Sequence, residues 1–496
     1  MVFAVQSDAL TETPLATKNN YDLYPATPSL VRKYLKPERY KEWLESRNVV
    51  ADVEINNSLR DYQKEGIRKI LCHSSFGIFD QQRLGKTPMI LSAISFFNEI
   101  QRTIIIAPKS TLEHWAEECK KWYNPDVKVI NGTAKQRQNI YKNPPKVMVL
   151  TYKTIMLDYN FLNTIHFDCM IIDEAHRLRN FKGQVSKYSP KSVKAIMNLS
   201  YKIHYKYALT GTPAPNKPEN IFPILHFLYP NLFTSYYKFL NYYFEQEEIY
   251  IAKDTTTLVP CGFKEGKQLQ LQELLDYISL QRKRKDYMQW LPATDKNKIY
   301  LNLPKKIKMW YNELVKTFEC EELGINCSNL LSLMIALRQL TTKAKVDYIL
   351  DYINDYPDEQ IIIASEFTSF LKDLHIKIPQ AYMLIGETST KNRYKIQEDF
   401  NKKKINIILA NIEVIKEGMK LESCNTIIIA DPSLTYTDNE QLEDRLLPTT
   451  KEIALEKDKQ QIVYLVVKDS IDDYIDKQLE NKATKVDIIN NFKAYL

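Results

Sequence analysis

The feature that most constrains the fold is a series of short apolar runs, rich in β-branched residues, each closed by polar or turn residues. "RTIIIAP" begins at Arg102, "KVMVLTY" at Lys146, "DCMIIDE" at Asp168 and "KYALTGT" at Lys206. A second group follows: "QIIIASE" at Gln360, "NIILANI" at Asn406, "NTIIIAD" at Asn425 and "QIVYLVV" at Gln461. Unbroken apolar runs of this length suit strands buried on both faces. Helical patterns such as "STLEHWAEECKKWY" lie between them, and alternation of strand and helix implies parallel, doubly wound sheets. Two groups mean two α/β lobes. The expected division is a small N-terminal element over 1–55, a first lobe over 56–230, a mostly helical insertion and linker over 231–304, and a second lobe over 305–496. A chain of 496 residues is long enough for such a plan.

Function classes narrow next. No apolar run is long enough to span a bilayer, and the N-terminus lacks the basic-then-apolar pattern of a secretory signal. The 7 cysteines form no C-x-x-C pair, so neither a zinc site nor a disulfide framework is indicated. The expected location is intracellular: cytoplasmic, within the host cytoplasm for a viral protein, or nuclear in a eukaryote. A net charge of +7 is compatible with nucleic acid without requiring it.

In α/β lobes ligands gather at the carboxyl ends of strands. The stretch "GIFDQQRLGKTPMIL", Gly77 to Leu91, is close to the phosphate-cradling pattern G-x-x-x-x-G-K-[ST] but has Asp80 where the first glycine belongs. Gly85, Lys86 and Thr87 fill the rest. Backbone amides at the helix start suit phosphate oxygens, Lys86 suits the β and γ phosphates, and the Thr87 hydroxyl suits Mg²⁺. A bare surface turn would also accommodate these three residues. The strand end "MIIDEAHRLRN" shifts the balance. Asp173 is placed to hold Mg²⁺ through water and Glu174 to polarise an attacking water, against the plainer reading of an acidic helix start.

D-E-A-H with "ALTGTPAPN" resembles motifs II and III of superfamily II helicases, and the ordered set is similar to the Swi/Snf-type DNA translocases. "LRDYQKEGI" at Leu59 matches the segment whose glutamine, here Gln63, reads adenine in that family. "IIIAPKSTLEHWAEE" resembles motif Ia, "VLTYKT" motif Ib, "LQRKRKDYMQWLP" the linker, "IIIASEFTSFLKDL" motif IV and "QLEDR" the start of motif VI. The likeness runs from about Leu59 to Tyr474. It implies two RecA-like lobes, ATP and Mg²⁺ as cofactors, and DNA bound through its backbone. The residues it implies for DNA are Lys109, Ser110, Thr151, Tyr152, Ser365 and Thr368. Ordinary cap and turn chemistry is an equal reading for each of them. The basic run after Leu280 is a further candidate for DNA.

Within this family the loop reads D-E-M-G-L-G-K-T, so Asp80 is a family trait. Arg83 is a departure, standing where the family has glycine, and a negative φ there would accommodate its side chain. Motif V keeps Gly418 and Leu421. Motif VI keeps Gln441, Asp444 and Arg445, with Pro448 in place of a second arginine. The resemblance makes Arg445 the charge partner of the γ-phosphate, Gly418 and Gln441 nucleotide-site residues, and His176 a coupling residue. The expected function is an ATP-dependent DNA translocase or helicase. The compact chain favours forked or branched DNA and replication or recombination partners. The alternative is a nucleic-acid-binding protein with a degenerate ATPase core.

Overall fold

The computed structural model describes residues 2–6, 14–18, 21–47, 50–183, 186, 189–214, 217–252, 255–415, 419–448, 450–457, 459–483 and 485–496. The chain divides into two compact units, Met1–Tyr287 and Met288–Leu496.

The first unit opens with a small sheet, order β1-β3-β2, of β1 (Val2–Gln6), β2 (Ala16–Lys18) and β3 (Tyr21–Pro25). Leu15, Tyr24 and Leu30 from this region join the main core beside Tyr242. The central sheet contains β4 (Ser75–Ile78), β5 (Thr103–Ala107), β6 (Val127–Val129), β7 (Val147–Thr151), β8 (Cys169–Asp173) and β9 (Tyr205–Leu209). With β12 (Ser279–Leu280) at one edge, its order is β12-β4-β9-β8-β5-β7-β6, and every pairing is parallel. The apolar runs form strands because both faces are covered. Ile104 and Ile106 of β5 pack into one core, while Ile105 and Ala107 pack into the opposite one. Parallel register places the ends of β4, β8, β9, β5 and β7 on one edge, where the loops of the site emerge.

Within 231–304 the structure departs from the mostly helical expectation. Helices Tyr236–Tyr243 and Lys267–Ile278 flank an antiparallel hairpin of β10 (Phe244–Ala252) and β11 (Thr255–Phe263). The hairpin sequence holds Ile249, Tyr250, Thr255, Thr256, Thr257 and Val259. These stiff, branched or aromatic residues favour extended backbone over a helix. Next, β12 (Ser279–Leu280) returns to the edge of the first sheet and pairs with β4.

The second unit holds a sheet of order β13-β20-β19-β16-β18-β17, again wholly parallel. Its strands are β13 (Thr294–Leu301), β16 (Ile361–Ser365), β17 (Tyr382–Leu384), β18 (Ile407–Asn411), β19 (Thr426–Asp431) and β20 (Gln460–Val467). A two-stranded pair of β14 (Glu319–Cys320) and β15 (Ile325–Asn326) stands apart from it. Ile362 and Ala364 face one core, Ile361 and Ile363 the other. The expected pair of doubly wound parallel lobes is what the chain forms. Among the described residues no helix is long and apolar enough to cross a membrane.

Candidate nucleotide site

The loop after β4 ends at Gly85, the N-cap of helix Lys86–Ile94, whose left-handed backbone has φ 75° and ψ 46°. That backbone favours glycine, and a β-carbon there would also meet the amide tip of the Gln63 side chain at 2.1 Å. The Gln63 amide is spent locally: Nε2 donates to Leu84 O at 3.3 Å, and Oε1 accepts from Arg60 N at 2.9 Å. Lys86 Nζ donates to Asp80 O at 2.8 Å and Gln81 O at 3.3 Å, which curls the loop around the ammonium. Thr87 follows, half-buried, in the first helical turn.

Arg83 corrects one expectation. Its φ is +72°, the left-handed region, not a negative value. Holding a side-chain-bearing residue there costs roughly 1–2 kcal/mol.

Asp80 does not face the phosphate position. It is fully buried and is gripped by Arg282, from the segment after β12. Arg282 Nε lies 3.1 Å from both carboxylate oxygens, Nη2 is 2.5 Å from Oδ2, and the Arg282 backbone N donates to Oδ1 at 3.0 Å. Arg282 Nη1 also donates to Tyr62 O. The basic run after Leu280, a candidate for DNA, therefore loses its first arginine to the interior. Sequence reading missed this pair, and its only signal was a buried-type aspartate in a loop with no assigned partner.

Across the sheet, β8 delivers Asp173 and Glu174. Asp173 Oδ2 accepts from Trp115 Nε1 at 2.8 Å, and Oδ1 accepts from Glu174 N at 3.0 Å. Burial, then the neighbouring Glu174 charge, pushes the Asp173 carboxyl up to about 6, while Trp115 and Lys86 oppose the rise. Glu174 adopts φ 50° and ψ 50°. His176 Nδ1 lies 3.2 Å from Glu174 Oε2 and 3.1 Å from Thr210 Oγ1, which joins D-E-A-H to the T-G-T turn after β9. The Thr87 hydroxyl and Asp173 carboxylate are hard oxygen donors, the chemistry that a divalent cation with water ligands requires.

The residues assigned to DNA are mostly turned inward. Tyr152 hydroxyl donates to Asp173 O at 2.7 Å and contacts Glu174 O at 3.2 Å. Thr151 Oγ1 caps helix Tyr152–Leu157 by accepting from Thr154 N at 3.0 Å. Ser110 Oγ is buried without a hydrogen-bond partner. Ser365 is wholly buried and donates to Asp431 Oδ2 at 2.7 Å, within a network where Lys345 Nζ meets Asp431 at 3.0 Å and Asp472 at 2.7 Å. The Ser365 hydroxyl is thus engaged in a buried charge network, and the Tyr152 hydroxyl in contacts to two backbone carbonyls. Lys109 is exposed, and Thr368 is half-buried, with its Oγ1 3.3 Å from Asn411 Nδ2.

In the second unit, Gln441 and Arg445 are half-buried on consecutive turns, and Arg445 Nε donates to Gln441 O at 3.1 Å. Pro448 is buried and Lys451 exposed at a helix start. Gly418 lies outside the described residues.

Two wholly parallel lobes, with a glycine-lysine-threonine loop and an Asp-Glu strand end on one edge of the first, define a helicase-type nucleotide hydrolase fold. Residues 42–346 match the SNF2-related domain, and residues 344–447 match the helicase conserved C-terminal domain. The chain belongs to the SNF2-related family. It is 28% identical over 331 residues to chromodomain-helicase-DNA-binding protein 7 of Homo sapiens, covering 60% of this chain and 10% of that protein. It is 25% identical over 481 residues to an uncharacterized ATP-dependent helicase of Mycoplasma genitalium, covering 88% of this chain and 43% of that one. The chain thus spans between a tenth and under half of these relatives' length. A solved structure, the Sulfolobus solfataricus SWI2/SNF2 ATPase core in complex with dsDNA, aligns at 22% identity with a TM-score of 0.42, covering 88% of this chain and 93% of that one.

Proposed function

We propose that this chain is a DNA-dependent ATP hydrolase that moves along DNA phosphates and remodels forked or branched DNA. The carrying observation is the shared edge of the first sheet, where the Lys86 loop and the Asp173–Glu174 pair emerge in a chain of the SNF2-related family. In this proposal Lys86 pairs with the β and γ phosphates, Gly85 and Gln63 shape the loop, and Glu174 orients the attacking water. Thr87 and Asp173 hold Mg²⁺, which supplies charge neutralisation on the phosphates when bound. The family resemblance gives Arg445 the role of charge partner of the γ-phosphate, and Gln441 and Gly418 roles in nucleotide binding. The division into 1–55, 56–230, 231–304 and 305–496 serves as the working plan of domains.

DNA as substrate is supported by the relatives, which are chromodomain-helicase-DNA-binding proteins. Lys109, with backbone amides of the motif Ia and Ib turns, is the best-exposed candidate for the phosphates. The preference for forks, and replication or recombination partners, are the finer part of this proposal. A degenerate core is the second reading, favoured by Pro448 at the second arginine position.

ATP turnover measured with no DNA, single strands, duplex and forks tests the proposal. Hydrolysis should rise with DNA, most with forks, and Glu174→Gln should bind ATP without turning it over. Wild-type turnover in Glu174→Gln would remove the assignment of the carboxylates. Equal stimulation by all DNAs would remove the preference for forks, and no stimulation would leave the degenerate core.

A further inference from the structure

The sequence places Tyr152 beside DNA; the structure gives its hydroxyl another task. Glu174 carries a side chain yet sits at φ 50° and ψ 50°, a conformation that costs on the order of 1 kcal/mol or more and persists only where its surroundings impose it. The two carbonyls that Tyr152 touches, Asp173 O at 2.7 Å and Glu174 O at 3.2 Å, belong to the peptide planes on either side of the Glu174 α-carbon. In extended backbone successive carbonyls point in opposite directions. One hydroxyl reaches both only when the residue between them is helical in its dihedrals, right- or left-handed. The Tyr152 hydroxyl therefore gauges the backbone of Glu174, and through it the direction of that side chain.

A second tie runs to the adjacent carboxylate. Trp115, buried one turn into helix Leu112–Trp122, donates from Nε1 to Asp173 Oδ2 at 2.8 Å. That helix follows directly on Lys109–Thr111, and Tyr152 follows directly on Thr151. Each of the two turns proposed to meet DNA is thus one hydrogen bond away from the Asp-Glu pair. On its other side Glu174 is bridged to His176, and the Lys86 charge acts on Asp173.

We propose that Tyr152 and Trp115 are positioning residues: they hold Glu174 and Asp173 in the geometry for hydrolysis and make that geometry answer to the turns at 109–111 and 151–152. This rests on the reading of Asp173 and Glu174 as ATP-hydrolysing residues. Tyr152→Phe keeps the ring and removes only the hydroxyl. At saturating DNA its kcat for ATP should fall roughly tenfold, the size of one lost hydrogen bond. KM for ATP, Kd for DNA and Tm should stay near wild type. Trp115→Phe should show the same split of kcat from KM and Kd, with Tm lowered by the cavity left in the core, and it serves as the test if Tyr152→Phe does not fold. Hydrogen exchange across 173–178, without nucleotide, supplies a readout independent of turnover: exchange should speed up in Tyr152→Phe. Weakened DNA binding with normal kcat would return Tyr152 to the DNA surface and overturn the proposal. Unchanged kcat with unchanged exchange would also overturn it. If the wild-type protein hydrolyses no ATP, the functional reading fails, and exchange alone then decides whether Tyr152 holds the Glu174 backbone.

Discussion

Arg282→Ala should be among the most damaging single changes in the first unit. The substitution leaves Asp80, fully buried, without the guanidinium that touches both its oxygens. Removing one partner of a buried ion pair costs about 3–5 kcal/mol, because the remaining charge is stranded. One backbone N–H, from residue 282 itself, remains as compensation at 3.0 Å, which places the expectation at about 3 kcal/mol. Asp80→Asn with Arg282→Met removes both charges, and the double variant should be less destabilised than the sum of the two single ones. The protein has 5 tryptophans, and Trp43, Trp115 and Trp122 lie in the first unit. Guanidinium unfolding followed by fluorescence, in a background with Trp290→Phe and Trp310→Phe, therefore reports on that unit. An Arg282→Ala transition within about 1 kcal/mol of the parent, well under the stranded-charge cost, would refute the reasoning. Simple additivity in the double variant would do the same.

Lys206 offers a pH test. It is buried on β9, no ion pair holds it among the described residues, and desolvation lowers its pKa to about 8. Below about 8 it is charged in folded and unfolded chains alike, and burial of that charge weakens the fold. Between about 8 and 10.5 the unfolded chain binds more protons, so this contribution to stability rises with pH. Lys206→Met should add about 2–3 kcal/mol at pH 7, and the gain should vanish above about pH 10.5; a pH-independent difference in unfolding free energy would contradict it. Arg83→Gly should relieve the left-handed strain at φ +72°. Offsetting roughly 1–2 kcal/mol of strain against the chain entropy of glycine, roughly 0.5–1 kcal/mol, leaves a gain of about 0.5–1 kcal/mol in denaturant unfolding. A less stable Arg83→Gly protein would show that Arg83 contacts outweigh the strain.

The strands were legible because burial on both faces demands unbroken apolar runs, and Ile104 to Ala107 or Ile361 to Ala364 satisfy that locally. The placement of Lys86 and Asp173 on one edge of the first sheet was legible because the loops after parallel strands emerge together. The partner of Asp80 was not, since Arg282 lies 202 residues away and a basic run on paper looks solvated. The inward contacts of Tyr152 were not legible for a related reason: a hydroxyl after a strand can point outward to a phosphate or inward to a carbonyl, and only packing decides. The hairpin at 244–263 escaped because its charged and aromatic residues mask the β-branched pattern, and the sign of φ at Arg83 is set by the loop around it rather than by arginine.

The return of β12 to the edge of β4 has a consequence during synthesis. The phosphate loop emerges from the ribosome with Asp80, but its counter-charge follows 202 residues later. At roughly 5–20 residues per second, that is a delay on the order of ten to forty seconds. Through that interval a buried-type carboxylate and one edge of a parallel sheet stand incomplete, in a topology whose long-range pairings already slow folding. The nascent first unit thus carries an unfinished Lys86 loop through that interval, and a chain ended before residue 282 would carry the loop without the arginine that closes it.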